Sequence, residues 1–295
     1  MITVGNCPVC NSSKFKTKIE CVDYTYSKDI FNIVSCETCG FLITSPRPHD
    51  DDIGEYYKSE SYISHTNSSS GLFNWMYQAA RHYSIKKKVG VLKNLCPQGT
   101  HLDVGCGTGE FLNACKKSGF RTIGIEPSSI ARKQAVENFG LKVKKNTDLK
   151  QFEKSSFDTI SMWHVLEHVA KLNQTVSQLA RILRPGGAIL VAVPNHKSWD
   201  ADYYKEHWAA WDVPIHLWHF SERTIETLFG KHGFCLAEKK PMLFDSYYVS
   251  LLSEEFRHGR KRFFKSLIIG AISNIVGLIT KRGCSSTMYI FKKRI

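Results

Sequence analysis

One short stretch limits the folds open to this chain more than any other: Leu102-Asp103-Val104-Gly105-Cys106-Gly107-Thr108-Gly109, with Glu126 closing the next apolar segment. A short apolar strand carries an acid near its end, then three glycines alternate with small residues. A helix pattern, Glu110-Phe111-Leu112-Asn113-Ala114, follows at once. Strand, glycine turn and helix in that order make a nucleotide-type cofactor pocket at the carboxyl end of a parallel sheet. Glycine lets the backbone turn tightly and approach a ligand where a Cβ would collide. The acid that ends the segment Phe120 to Glu126 can accept hydrogen bonds from both hydroxyls of a ribose. The glycines run G-x-G-x-G, not the G-x-G-x-x-G of a dinucleotide fold, and Asp103 stands just before them. A carboxylate there is unfavourable beside a pyrophosphate and favourable beside a cofactor with a cationic amino-acid end.

The stretch resembles the first motif of class I S-adenosylmethionine (SAM)-dependent methyltransferases, and the resemblance covers most of residues 72–240. Four further segments carry it: Glu126; Phe157 to Trp163, which reads as the fourth strand; the turn Leu183-Arg184-Pro185-Gly186-Gly187; and the fifth strand, Ala188 to Asn195. The resemblance implies an α/β fold, a Rossmann-like seven-stranded methyltransferase sheet with helices on both faces. It implies that Asp103, Gly105, Gly107 and Gly109 hold the methionine end of SAM and that Glu126 holds the ribose. It places Asn146, Thr147 and Asp148 near the adenine, and Met162, Trp163 and His164 against the cofactor.

Ahead of this domain stand two C-x-x-C knuckles, Cys7-Pro8-Val9-Cys10 and Cys36-Glu37-Thr38-Cys39. Each puts two thiolates on one tight turn, and two turns complete a tetrahedral S₄ site. Thiolates without histidine favour zinc, or iron in a rubredoxin-like variant. The spacer can hold a hairpin from Lys14 to Val34. Residues 1–45 therefore read as a zinc-ribbon-like module with structural Zn²⁺ on Cys7, Cys10, Cys36 and Cys39. The N-terminus has no basic region followed by an apolar run, so a cytoplasmic, reducing setting is expected. The other six of the 10 cysteines are scattered and read as small buried side chains.

Residues 46–71 read as a connector, stiff at Pro46-Arg47-Pro48 and flexible at Asn67 to Gly71. Tyr56, Tyr57 and Tyr62 within it could lid the site or pin the connector; pinning is favoured. Residues 72–295 then form the methyltransferase domain, opening on an amphipathic helix from Leu72 to Leu95 with Leu72, Met76, Ala79 and Tyr83 on one face. The domain should close with two antiparallel strands, Phe234 to Glu238 and Thr287 to Phe291. Between them lies an insertion at 241–286 that carries Arg257 to Lys265 and the apolar run Ser266 to Thr280. As a helix that run reaches roughly 22 Å, short of the ~30 Å hydrocarbon core of a bilayer. It fits equally a helix lying in a membrane interface and one packed on the protein's own body or in a dimer. The net charge of +13 calls for an anionic partner. The insertion lacks interleaved aromatics, so an anionic lipid surface fits better than nucleic acid.

Methyl transfer is an in-line displacement from a sulfonium, and an alcohol acceptor needs a base. Candidates should follow the fourth and fifth strands. The first cluster is His164-Val165-Leu166-Glu167-His168. A similar acid-bearing segment in ubiquinone-biosynthesis O-methyltransferases supports a divalent metal, but those carry an acid where this chain has His164. Glu167 and His168 are therefore expected to cap and orient a helix. The second cluster is the loop His207 to Phe220, rich in histidine and tryptophan, ahead of a helix that Ser221 should N-cap. Imidazole titrates near neutrality. His216 is favoured as base over His219 because Val213-Pro214 fixes the backbone before it, with His164 a third candidate.

The layout as a whole is similar to methyltransferases that pair a cysteine-knuckle segment with a D-V-P-x-H-L loop and an apolar, basic C-terminal insertion. These are associated with surface polysaccharide or glycolipid assembly, which implies a sugar hydroxyl, free or in a lipid-linked glycan precursor, as acceptor. Ile215 stands where many of them carry arginine. Rival readings are a small aromatic or quinone-like hydroxyl, RNA, or a non-enzymatic scaffold. No N-P-P-Y-type motif follows the fourth strand, which argues against RNA. The intact Asp103, glycine loop and Glu126 argue against a scaffold.

Overall fold

The computed structural model describes residues 1–57, 72–145 and 147–294. Tyr62, the 67–71 end of the connector, Asn146, and the side chains of Leu72 and Met76 lie outside what is described. Strands β1 (Phe15–Val22), β2 (Ile30–Cys36) and β3 (Leu42–Thr44) precede helix α1 (Leu72–Leu95). Then come β4 (Thr100–Val104), α2 (Glu110–Lys117), β5 (Arg121–Ile125), α3 (Ser129–Phe139), β6 (Val143–Lys144), β7 (Phe157–Trp163), α4 (Leu172–Ile182) and β8 (Leu183–Pro194). They are followed by α5 (Trp199–Tyr204), β9 (Trp218–His219), α6 (Glu222–Gly230), β10 (Phe234–Pro241), α7 (Asp245–His258), α8 (Phe263–Ile279) and β11 (Ser286–Lys293).

The main sheet has seven strands in the order β10-β11-β8-β7-β4-β5-β6. Strands β4 to β8 run parallel, and β11 and β10 close the edge antiparallel. Apolar alternation covers both faces. On β8, Ile189, Val191 and Val193 join one core with α4 and α6, while Leu190 and Ala192 join another with α1 and α2. The chain leaves β4 toward β5 and β6, then crosses back to β7 on β4's other side. That reversal opens a crevice at the carboxyl ends of β4 and β7, where open α/β sheets bind ligands. The expected turn Leu183 to Gly187 is part of β8, which pairs with β7 through a register shift.

The N-terminal segment is not a separate bead. Its β1-β2-β3 sheet gains a fourth strand, β9, from the methyltransferase domain: Leu42 pairs with His219 and Ile43 with Trp218. Phe41 packs against Trp218 and Phe220, with ring centroids 6.1 and 5.4 Å away. Cys7, Val9, Cys36, Phe41 and Ile43 share one core with α4, α6 and the main sheet. Thr44 Oγ1 lies 2.6 Å from the His216 carbonyl and 3.0 Å from His219 Nε2. The connector is pinned in part, since Tyr56 packs edge-on against Tyr26 and Phe31.

Of the two readings of the insertion, packing on the protein's own body is the one observed in α8. Its buried face is made of small and polar residues: Ser266, Gly270, Ser273 and Asn274, with Ile269. A Cβ on Gly270 would stand 2.7 Å from the Tyr247 ring, so α7 and α8 pack only because that side chain is absent. Ser273 Oγ donates to buried Asp200 (2.6 Å) and Asn274 to the Leu243 carbonyl (2.8 Å). The large apolar residues point outward: Phe264 is 82% exposed, Ile268 60% and Ile279 77%. Among the described residues no helix is long and apolar enough to cross a membrane.

The Thr44 hydroxyl donates to the His216 carbonyl and accepts from His219, both buried. Thr44→Val should therefore orphan both groups and cost about 2 kcal/mol in urea unfolding, while Thr44→Ser should cost much less. Equal losses in the two variants would show that the hydroxyl is not what holds the loop.

Candidate active site

The glycine loop is built as the sequence requires. Gly105 and Gly109 have φ of +73° and +88°, in the region side chains resist. A Cβ on Gly105 would also stand 2.4 Å from Val165 Cγ2, and one on Gly109 2.9 Å from Ala135 Cβ. The amides of Gly105 and Cys106 donate to the Ile125 carbonyl, which fastens the loop to β5. Glu126 receives the Gly107 amide on Oε2 and the Ser128 amide on Oε1, each at 2.8 Å. Thr147 is exposed beyond β6, and the Lys144 carbonyl of that strand accepts from the Glu126 amide. Asp103, Gly105, Gly107, Gly109 and Glu126 are thus brought together at the crevice, with Thr147 on its edge.

Asp103 is almost wholly buried, and burial raises its pKa to about 7 against the opposing pull of Ser161 and Lys88. Ser161 Oγ donates to Asp103 Oδ1 at 2.5 Å. Having spent its proton, that hydroxyl must accept from His101 Nε2 (3.0 Å), which leaves His101 Nδ1 to accept from Thr159 Oγ1 (2.9 Å). Burial lowers His101 to about 3, so it stays neutral. Lys88 of α1 lies 4.1 Å from the Trp163 ring centroid. Burial lowers its pKa, while Asp245 and Asp103 work the other way. Neither this relay nor Lys88 is visible in the sequence, where Lys88 ends a three-lysine run.

After β7 the segment divides. Met162 is fully buried in the core, so its side chain does not line the crevice as the resemblance implied. Trp163 packs edge-on against Phe111 at 5.2 Å. His164 has φ +55°, and its Nε2 donates to Asp245 of α7 at 2.9 Å while Nδ1 lies 3.4 Å from Glu167 Oε1. Burial opposes its charge, yet Asp245 and Glu167 raise it to about 10. His164 is therefore an imidazolium at neutral pH and a poor base, contrary to its place among the three candidates.

The His216 loop folds back onto this segment. Leu217 donates its amide to the Glu167 carbonyl at 2.8 Å, and the His216 and His168 rings meet edge to face at 4.6 Å. His216 Nδ1 donates to the Ala210 carbonyl (3.0 Å) and His168 Nδ1 to the Ile215 carbonyl (3.1 Å). Tyr57 of the connector also reaches His168 Nδ1, at 2.9 Å. Burial lowers His216, and burial together with the neighbouring His216 lowers His168 to about 4, so both imidazoles are neutral. Asp212 Oδ2 stands 3.7 Å from His216 Nε2, and burial raises this acid to about 7. His219 lies apart, buried and bonded to Thr44. Glu167 and His168 sit in a short 3₁₀ turn, Leu166–His168, and do not cap a long helix.

The four knuckle cysteines converge. Cys7 and Cys39 sulfurs are 3.6 Å apart, and Cys10 and Cys36 sulfurs 3.4 Å. All four sulfurs lie within 4.8 Å of one another. Sulfurs ~2.3 Å from a tetrahedral zinc stand about 3.8 Å apart, so the set fits that ion.

Residues 77–239 match the methyltransferase domain family, and the chain belongs to it. With the class I sheet and glycine loop, this makes it a SAM-dependent methyltransferase. Ubiquinone biosynthesis O-methyltransferases of Yersinia pestis (strain Pestoides F) and Yersinia pseudotuberculosis serotype O:1b (strain IP 31758) are each 26% identical over 169 residues, 53% of this chain and 67% of theirs. Among solved structures, a SAM-dependent methyltransferase from Archaeoglobus fulgidus superposes with TM-score 0.50 at 20% identity, covering 76% of this chain and 100% of that one. The YcgJ protein from Bacillus subtilis does so with TM-score 0.50 at 18%, covering 72% and 99%. The [4+2]-cyclase SpnF has the same fold (TM-score 0.50, 16% identity, 71% and 80% covered), so the family match and not the fold carries the reaction class.

Gly105→Ala combines a strained φ with a collision at Val165, so about 2 kcal/mol of stability should be lost in thermal or urea unfolding. Adding Val165→Ala should recover part of that loss. No recovery would mean that the loop and the segment after β7 are not in contact.

Proposed function

We propose that the enzyme methylates a hydroxyl of a sugar, in a lipid-linked or nucleotide-linked glycan precursor, at an anionic membrane surface. The observation that carries this is the outward apolar face of α8. Burying small polar residues and exposing large apolar ones is costly in water and favourable in a lipid interface. The stretch Glu254 to Lys265 just ahead of that face carries five basic residues against two acidic ones, and Lys281 and Arg282 follow it. The same insertion reaches the reaction centre, because Asp245 on α7 holds His164. A lipid-borne acceptor would therefore meet the crevice from the side on which the insertion sits.

In this reading Asp103 takes the ammonium of SAM, Lys88 its carboxylate, and Glu126 the ribose hydroxyls once its bonds to the Gly107 and Ser128 amides are shared. Thr147 borders the adenine. The acceptor oxygen attacks the methyl carbon, the carbon–sulfur bond breaks, and neutral S-adenosylhomocysteine leaves. The hydroxyl proton passes into the His168–His216 cluster, where His216 carries the lone pair on Nε2. Zinc on Cys7, Cys10, Cys36 and Cys39 is structural; metal analysis of the purified chain that finds none would remove it. The name of the Yersinia relatives favours a second acceptor, a quinone-like hydroxyl, which is also membrane-borne.

Labelled SAM incubated with lipid-linked glycan, nucleotide-sugar, quinone-like phenol and RNA fractions separates these acceptors. Label in a glycan fraction supports the proposal, and label confined to phenol or RNA overturns it. On vesicles rich in anionic lipid, the native chain should float and the double variant Ile268→Asp, Ile275→Asp should not, with unchanged melting temperature. Equal flotation would sink the membrane half of the proposal.

Below about pH 7 the Asp103 carboxyl is protonated in the free enzyme, and binding an ammonium group must expel that proton. Affinity is thus complete above the free-state pKa and lost as pH falls through it. S-adenosylhomocysteine should bind roughly eightfold more weakly at about pH 6 than at about pH 7.5. A flat profile would remove Asp103 from the ammonium contact.

A further inference from the structure

We infer that Glu167, His168 and His216 form a buried two-histidine, one-carboxylate site for a divalent cation where the His216 loop meets the segment after β7. One ligand atom from each lies within 4.8 Å of the other two. A carbonyl can only accept, so each Nδ1 that faces one carries the proton: that of His216 toward Ala210, and that of His168 toward Ile215, with the Tyr57 hydroxyl accepting the same proton at 2.9 Å. The Nε2 of each ring is left with its lone pair. Imidazoles whose remote N–H is fixed on a backbone carbonyl are oriented as metal ligands are.

The second, independent observation is Glu167. It is fully buried, yet neither carboxylate oxygen has a hydrogen-bond partner among the described residues. Its Oε1 has an ionic contact with His164 at 3.4 Å, and Oε2 has none. The His164 imidazolium answers Oε1 alone, and a buried carboxylate oxygen left bare, as Oε2 is, is costly without a further cation against it. His164 does not complete the set, because its Nε2 is engaged by Asp245. The third ligand comes instead from the far side of the chain, on the loop that β9 holds in place. Asp212, 3.7 Å from His216 Nε2, adds negative charge beside the site. Two nitrogens and an oxygen suit Mn²⁺, Fe²⁺ or Zn²⁺, and three protein ligands leave coordination positions open for an acceptor oxygen. That use of the open positions rests on the acceptor reading above, and a bound ion takes up the Nε2 lone pair of His216, so His216 serves as base only in the cation-free enzyme; the site itself does not rest on that reading.

Mn²⁺ is the probe of choice, since thiolate knuckles do not favour it. The full chain, with its cysteine site filled by zinc, is titrated with Mn²⁺ while free ion is followed by electron paramagnetic resonance, without acceptor. One Mn²⁺ should bind per chain. Glu167→Gln and His216→Gln should each weaken binding at least roughly tenfold while the zinc content stays unchanged. No uptake by the native chain at ~1 mM, or native-level uptake by both variants, would overturn the site. Should the variants fail to fold, Co²⁺ added to the native chain decides: the ring signals of His168 and His216 should shift paramagnetically, and shifts confined to other histidines overturn the inference. Because no methyl transfer is read, a glycan that is not methylated leaves this result untouched.

Discussion

The pairing of β3 with β9 is two residues long, and the active site depends on it. It turns the N-terminal sheet into a clamp on the loop that delivers His216. Thr44 bonds that loop's His216 carbonyl, Phe41 stacks on Trp218, and the Leu217 amide closes onto Glu167. An isolated loop from residue 205 to 221 would have to order many residues at about 1–2 kcal/mol each. Here that cost is met by burial: Trp208, Trp211, Leu217, Trp218 and Phe220 are all inside. The N-terminal sheet thus sets the position of the His216 imidazole beside His168 and Glu167.

Charge within the crevice follows from the same economy of burial. Asp103, Glu167, Asp245 and Asp212 approach from four elements, with Lys88 and the His164 imidazolium between them. Acids placed this closely must be neutralised by protons, side-chain cations or ligands. Asp103 and Asp212 respond by titrating near pH 7, and His164 stays protonated between Asp245 and Glu167. The site is prepared for cations, which is the demand a sulfonium cofactor with an ammonium group makes.

What could be read from the sequence was what local pattern encodes. The glycine turn, β7, the closing strands and the Ser221 start of α6 follow from period-two apolar runs, positive-φ glycines and capping chemistry, all settled within a few residues. Long-range contact defeated the rest. His164 reads as a base in sequence, but Asp245, 81 residues away, holds it as the imidazolium. Residues 1–45 read as a zinc-ribbon-like module, and nothing in Leu42-Ile43 announces Trp218-His219 as their strand partner. The resemblance treats Met162, Trp163 and His164 as a block, whereas Met162 is buried in the core and Trp163 and His164 are not fully buried. Lys88 and the His101–Ser161–Asp103 relay carry no local signature at all.

The insertion shows why periodicity alone left two readings of α8 open. An apolar run of this length satisfies a protein interior or a lipid interface equally by composition. The difference lies in which face carries the small residues. Gly270, Ser273 and Asn274 are turned inward because α7 and Asp200 approach closely enough to demand small or hydrogen-bonding partners. The bulky Ile268, Ile275 and Leu278 are then forced outward by the helical repeat. Packing thus fixes the orientation of the apolar face, which basic residues flank at both ends. Since α7 also fixes His164 through Asp245, the outward face of α8 and the segment after β7 are joined through one packed pair of helices.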